Sequence, residues 1–444
     1  MSGISGKMAA LHLVLLHHVL AALLLVGPAA GVGTITTIVP MPGKKDASAT
    51  ECQSWWSPSL VETRTNTTLL AALCKTPTRN LNYNFLVRSH DAGRTWGTPT
   101  LLAQFGEMVY SRTTGTLTMI LGPGHFSTGG KAKAGPTPKA GPTLQAGPTL
   151  QSPTDGAPVM PQPAWASELT QITPTQQSNC ESASVQSTDD GVTWSAPKLL
   201  NVVNGSLGPH YGGGGLNHGI ELQNGPHAGR LALARRFDCA AVGGDHNKPM
   251  YMRSFVLYSD DQGSSWSAGE LLPEGWTEDQ VAEMRNGSLL MTSRLEEQLP
   301  SLPYGNLSMN RAFARSDDGG RTWAETWYLE DRQPGIQAFI AECAHALVSD
   351  PTASSSSGES TMYWGHPGGA PGGQNRNNYT LETSTDDGAT WRFSAHIQPK
   401  GAGYSDAHLL HDGRLAIAYQ RTFDPPVHSI EGGGYDIAVA LVDL

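Results

Sequence analysis

The chain is poor in the features that hold metals. Its five cysteines, Cys52, Cys74, Cys180, Cys239 and Cys343, form no CxxC pair and no Cys/His spacing that suggests a metal site. Basic charge is also scarce. Only 29 Lys and Arg stand against 39 Asp and Glu, a net charge of -10, which excludes a nucleic-acid or anionic-membrane partner held by bulk attraction. Charged residues make up just 15% of the chain, while 51 Gly and 30 Pro suit many short strands joined by turns better than helices. Beyond the N-terminus, no segment is apolar for long enough to span a bilayer.

The N-terminus is the exception. In "KMAALHLVLLHHVLAALLLVGPAAG" a lysine precedes an apolar run and then small residues, the pattern of a secretory signal over residues 1–30 with cleavage near Ala30. An uncleaved anchor is the alternative, because His17 and His18 interrupt the run. Either reading places the body in the secretory pathway, secreted or in a lysosomal or vacuolar lumen. Sequons at Asn66, Asn204, Asn286, Asn306 and Asn378 agree with that compartment. Cys52 and Cys74 suit a disulfide by proximity, although sequence does not determine pairing.

What the chain has instead is repetition. "SHDAGRTW" from Ser89 recurs as "STDDGVTW" from Ser187, "SDDQGSSW" from Ser259, "SDDGGRTW" from Ser316 and "STDDGATW" from Ser384. The starts lie 98, 72, 57 and 68 residues apart, too loose for a solenoid and suited to one sheet per copy. In each copy Ser and Asp oxygens can accept turn N–H groups, Gly permits a positive φ, and Trp can wedge between strands, so the motif reads as a hairpin brace. Strand-like runs such as "RLALARR", "SFVLYS", "SLLMTSR" and "RLAIAYQ" lie between the copies, several after turn signals. Repeated antiparallel sheets with few free edges describe an all-β propeller. It is expected over residues 45–444, after a short linker at 31–44. The long first spacing holds "KAGPTPKAGPTLQAGPTLQ", a Pro/Gly/Thr-rich segment read as a disordered surface insertion at about 123–171.

These five motifs resemble the Asp boxes of the sialidase superfamily, whose fold is a six-bladed β-propeller. Asp boxes by themselves are structural, but the stretches between them extend the resemblance. "NHGIELQNGPHAGRLALARR", "EDQVAEMRNGSLLMTSR", "GHPGGAPGGQNRNNYTLETSTDDGATW" and "GAGYSDAHLLHDGRLAIAYQ" follow the family's order across residues 210–420. The resemblance implies Tyr404 as nucleophile, Glu278 as its partner base, and Arg294 and Arg376 as the grip on a substrate carboxylate. This choice has a chemical reason. A sugar with a carboxylate on its anomeric carbon repels a carboxylate nucleophile, so a neutral phenol attacks better, and sialidases are a known exception to the two-carboxylate rule. Arginine meets a carboxylate with a planar fork. Glu283 reads as a packing or salt-bridge partner. Glu221, in "GIEL", has two readings: it orients the sugar or caps a strand.

The first blade departs from the family. Trp56, in "SWWSPSLVETRTNTTLLAAL", stands where the first clamp arginine is expected, and no Asp lies between Asp46 and Asp91 to serve as acid/base. Asn80, Asn82 or Asn84 in that place cannot transfer a proton. Substitutes are Arg64 or Arg79 for the clamp and Glu51 or Asp245 for the acid. The implied function is an exo-acting sialidase-like glycosidase that needs no cofactor and removes sialic acid or a related nonulosonic acid from glycans, glycoproteins or glycolipids, with Trp56, as an aromatic platform under the sugar, pointing to a changed substrate such as a neutral sugar or another nonulosonic acid. The alternatives are a carbohydrate-binding pseudoenzyme and an adhesion propeller that uses its rim. Five boxes leave a sixth blade, expected to close by pairing of the C-terminal "YDIAVALVDL" with an N-terminal strand.

Overall fold

The computed structural model describes residues 34–39, 52, 54–75, 82–102, 106–121, 182–200, 202–204, 216–237, 252–295, 311–334, 343–350, 360–368, 376–422 and 435–444. The signal segment, the insertion at 123–171, Cys180, Cys239, Asn306 and the proposed substitutes Glu51, Arg79 and Asp245 lie outside them.

The described chain is a succession of antiparallel meanders. After β1 (Thr34–Ile38) comes a first unit of β2 (Ser54–Glu62), β3 (Thr68–Lys75), β4 (Asn82–Ser89) and β5 (Thr100–Leu102). The second unit is β6 (Gly106–Ser111), β7 (Thr116–Leu121), β8 (Ala183–Ser187) and β9 (Lys198–Leu199). In the third, β10 (Val202–Asn204) lies on the outer edge of β11 (Ile220–Glu221), β12 (Leu231–Phe237), β13 (Arg253–Ser259) and β14 (Trp266–Ala268). The fourth runs through β15 (Trp276–Glu283), β16 (Leu289–Leu295), β17 (Arg311–Ser316) and β18 (Glu325–Tyr328). The fifth holds β19 (Ala346–Asp350), β20 (Thr361–Pro367), β21 (Asn377–Ser384) and the first part of the long β22 (Arg392–Leu409). The second part of β22 then opens a final unit with β23 (Leu415–Thr422) and β24 (Tyr435–Val442).

That final unit is completed from the other end of the chain. β1 pairs antiparallel with β24, Thr34 opposite Val442 and Ile38 opposite Ala438. Residues 34–38 therefore belong to the propeller and not to a linker, a correction explained by the free ladder edge that β24 presents. It also explains why five boxes serve six units. The box links the third strand of a unit to its outer strand, and in the last unit that outer strand is not the next segment of chain. The first strands of the units touch one another in cyclic order, from β2 through β6, β11, β15, β19 and β22 back to β2, so they line a central axis.

Every box repeats one hydrogen-bond set. In the first, Gly93 N–H donates to Ser89 Oγ at 2.9 Å, and Thr95 donates to Asp91 through its N–H at 2.8 Å and its hydroxyl at 2.6 Å. Burial opposes ionisation of the aspartates, but these bonds outweigh it and hold Asp91, Asp189, Asp261, Asp318 and Asp386 below their ordinary range. The glycine has a second duty beyond bracing its own hairpin. A Cβ on Gly388 would sit 2.3 Å from Leu290 of the preceding unit, one on Gly320 2.6 Å from Val256, and one on Gly93 3.1 Å from Leu441. Each box is thus a contact between neighbouring sheets, and the Gly93 contact carries the series across the closure.

Candidate active site

Three inner strands are bulged at the same end of the axis. Register slips between Trp56 and Ser59 on β2, between Thr277 and Gln280 on β15, and between Ala402 and Ser405 on β22. A bulge re-aims the side chain it carries. Here the three bulges bring Trp56, Glu278 and Tyr404 together. Glu278 adopts a left-handed φ of 53°, a strained conformation that costs on the order of 1–3 kcal/mol and is typical of functional positions.

The Tyr404 hydroxyl donates to Glu278 Oε1 at 2.6 Å, with both residues buried. Arg294 Nη1 lies 2.9 Å from Glu278 Oε2. The Arg376 guanidinium sits 4.9 Å from the Tyr404 ring centre, and the Trp56 ring packs against the same tyrosine at 5.2 Å. Leu73, Leu216, Cys343 and Ala344 complete an apolar cluster with Trp56 and Tyr404. The structure thus brings Tyr404, Glu278, Arg294, Arg376 and Trp56 together around one point.

Electrostatics polarise the tyrosine–glutamate couple. Burial works against a charged Glu278, but the Arg294 guanidinium, then the Tyr404 hydroxyl and Arg376, prevail and hold its carboxyl at about 2. Burial and then the Glu278 carboxylate push the Tyr404 phenol far above its ordinary range, against Arg376 and Arg294. At neutral pH the site is a neutral phenol bonded to an ionised carboxylate.

Glu221 lies elsewhere, and of its two readings its bonds are those of a cap. Its Oε2 accepts the Arg112 N–H at 2.7 Å and its Oε1 accepts the Ser111 hydroxyl at 3.0 Å. Glu283 is likewise no salt-bridge partner, since its oxygens accept the N–H groups of Gln223 at 2.8 Å and Asn224 at 2.7 Å. Glu62 accepts from His411 N–H at 2.7 Å, and the Tyr110 hydroxyl accepts from Arg64 N–H at 3.0 Å. In each case the end of an inner strand caps the first hairpin turn of the preceding unit. Glu283 lies five residues along β15 from Glu278, about 17 Å at strand rise, so these caps ring the opposite mouth of the axis. Arg64 belongs to that far mouth and cannot supply the clamp. Asn84 is buried with its amide 3.8 Å from the Met119 sulfur, which removes it from the acid position. Two nearby groups escaped the sequence reading, Asp279 beside Glu278 and the buried Arg311 at the start of β17. Nothing in their local pattern distinguishes them from ordinary strand residues.

Cys52 and Cys74 form a disulfide, and Cys343 is a free, buried thiol pushed by burial up to about 11.

Comparison with known proteins agrees with this geometry. Residues 165–417, more than half the chain, match the BNR repeat-like domain. The sialidase of Micromonospora viridifaciens is 29% identical over 235 residues, which covers 53% of this chain and 32% of that protein. A Vibrio cholerae serotype O1 sialidase is 30% identical over 187 residues, 39% of this chain and 23% of its own. The chain thus spans a third or less of these two curated relatives. Among solved structures, a Hadza microbial sialidase superposes with a TM-score of 0.57 at 18% identity, covering 88% of this chain and 66% of that one. The intramolecular trans-sialidase of Ruminococcus gnavus gives 0.57 at 16%, covering 90% and 96%. At such identities these two speak for the fold. With its Asp-box hairpins and its ring of antiparallel sheets, the chain belongs to the BNR repeat-like family, within the sialidase/BNR superfamily of β-propellers.

Proposed function

We propose that this protein is an exo-acting glycoside hydrolase that removes a terminal sialic acid or related nonulosonic acid from glycoconjugates with retention of configuration. The observation that carries this reading is the 2.6 Å bond from the Tyr404 hydroxyl to Glu278, flanked by Arg294 and Arg376. Arg294 and Arg376 bind the substrate carboxylate. That anion competes with Glu278 for the guanidiniums, which makes Glu278 a stronger base at the moment of attack. The Tyr404 oxygen then bonds to the anomeric carbon as its proton passes to Glu278, and the glycosidic C–O bond breaks with the departing oxygen keeping the bonding pair and taking a proton from solvent. In the hydrolysis that follows, Tyr404 recovers its proton from Glu278 and the attacking water gives its surplus proton to solvent. Water hydrolyses the glycosyl–tyrosine in a second displacement. Trp56 lies beside the nucleophile as an apolar wall for the sugar. The Cys52–Cys74 disulfide supports a location in the secretory pathway.

A second reading, a carbohydrate-binding pseudoenzyme, draws on Trp56 in the place of a clamp arginine and on the missing aspartate before the first box. Turnover of an aryl α-sialoside and of sialyllactose, with Tyr404→Phe alongside, separates the two. Hydrolysis lost in the variant supports the enzyme, and hydrolysis of the aryl substrate alone locates the defect in leaving-group protonation, a step worth about 10²–10⁴-fold. Saturable sugar binding without any turnover supports the pseudoenzyme.

A further inference from the structure

Glu278 is followed by a second buried carboxylate. Asp279 is 3% exposed and points away from Tyr404, toward the neighbouring sheet, where its Oδ2 meets the Ser254 hydroxyl at short range. The same hydroxyl lies 2.8 Å from the Trp276 carbonyl oxygen. A serine has one hydrogen to donate. When Ser254 gives it to the Trp276 carbonyl, the short contact to Asp279 is a hydrogen bond only if the carboxyl supplies the proton.

Arg311 connects this carboxyl to the pocket. It is 2% exposed, sits opposite Arg294 in the β16–β17 register, and donates through Nε to Thr292 Oγ1 and through Nη1 to the Cys343 carbonyl, both at 3.1 Å. Cys343 belongs to the apolar cluster of Trp56 and Tyr404. Arg311 interacts electrostatically with both Glu278 and Asp279. We propose that Asp279 is a positioning residue that takes up a proton when an anionic ligand binds the pocket arginines, so that pocket charge and ligand charge are matched through Arg311. This rests on the reading of the pocket as a carboxylate site.

The charged groups around Asp279 are Arg311 on β17 and Arg236 on β12, with the Ser254 and Ser293 hydroxyls from β13 and β16. Around Glu278 stand Tyr404, Arg294, Arg376 and Arg311. The Cys343 thiol is neutral, and His345 on the next strand packs on Trp364 and His366 instead. Burial drives Asp279 up to about 7, whereas Arg311, drawn down by burial to about 10, stays charged. An ionised Asp279 therefore cancels one positive charge behind the clamp, and a protonated one restores it. At an effective dielectric near 20 and a separation of about 12 Å, that charge changes anion affinity about tenfold.

The test uses N-acetylneuraminic acid as probe. Calorimetric titration near pH 7 in two buffers of different ionisation enthalpy counts the protons taken up on binding. Wild type takes up a fraction of a proton, Asp279→Asn takes up none, and wild-type affinity falls about tenfold as Asp279 ionises while the variant's stays level. Equal uptake by both proteins overturns the proposal. An infrared measurement needs no ligand: a carboxylic-acid C=O band in wild type on the acid side, lost on the alkaline side and missing in Asp279→Asn, upholds the protonated carboxyl, and its absence overturns it. If the probe fails to bind at any pH, the carboxylate-site reading falls and the infrared band alone decides whether Asp279 holds the proton.

Discussion

Replacing Glu278 by Gln tests the electrostatics of the site without any substrate. The carboxylate accepts the Tyr404 hydroxyl at 2.6 Å and is second only to burial in raising that phenol. A unit charge about 4 Å from the forming phenolate is worth about 4 kcal/mol at an effective dielectric of 20, so the Glu278→Gln phenol should ionise about three pH units lower than in wild type. The Arg376 guanidinium, 4.9 Å from the ring, then acts unopposed in the same direction. Tyrosinate absorbance is the assay, and because the chain holds 12 tyrosines the signal is the difference between Glu278→Gln and Glu278→Gln/Tyr404→Phe. A rapid jump to about pH 11, read before the fold is lost, should show tyrosinate in that difference but none in the matching difference between wild type and Tyr404→Phe. Equal signals in the two comparisons refute the account. The variant should also be less stable by about 1–3 kcal/mol, since it takes the carboxylate from the half-buried Arg294.

Adjacent carboxylates give opposite linkages. Asp279, raised by burial to about 7, contributes stability that is complete below its unfolded value near 3.8 and is lost as pH rises through about 7, whereas Glu278, held at about 2, contributes stability present above 4.5 and lost as pH falls through about 2. Urea midpoints of Asp279→Asn should lack the first slope, worth up to about 4 kcal/mol in wild type. Gly388→Ala should destabilise by about 2–4 kcal/mol, because its new methyl meets Leu290 at a positive φ. Gly413→Ala, with a similar φ and nothing within 4 Å, should cost about 1 kcal/mol, and equal losses in the two would discredit the packing argument. Glu221→Ala should lower stability by about 1–2 kcal/mol through the uncapped turn at Arg112 yet leave Tyr404 ionisation unchanged. A change at Tyr404 would return Glu221 to the site.

The fold was legible because the box needs a serine, an aspartate and a glycine at fixed offsets, and those offsets survive in every copy. Tyr404, Glu278, Arg294 and Arg376 were legible through the stretches that carry them, which the family resemblance put in order. Glu221 kept two readings open because a glutamate on an inner strand looks the same whether it faces a sugar or works as a cap, and only its partners, Ser111 and Arg112, distinguish the cases. Asp279 and Arg311 were silent for a related reason. Their significance comes from a bulge at Thr277–Gln280 and from Arg311 lying across from Arg294, and neither register is written in the local sequence. An N-terminal partner for the C-terminal strand was expected, but its place at residues 34–38 was not, because a strand supplied from a distant part of the chain carries no box to announce it.

The pairing of β1 with β24 sets the order in which a growing chain can finish its work. Thr34 emerges from the ribosome about four hundred residues before its partner Val442. Earlier units can each form a hairpin-linked sheet as they appear, but the last cannot be completed until Val442 has been made, and its closure brings together segments that lie far apart in the unfolded chain. Until then the first strand is exposed to other chains, and between the synthesis of β24 and its pairing the edge of β24 is exposed as well, which makes the interval before closure a period of hazard for aggregation.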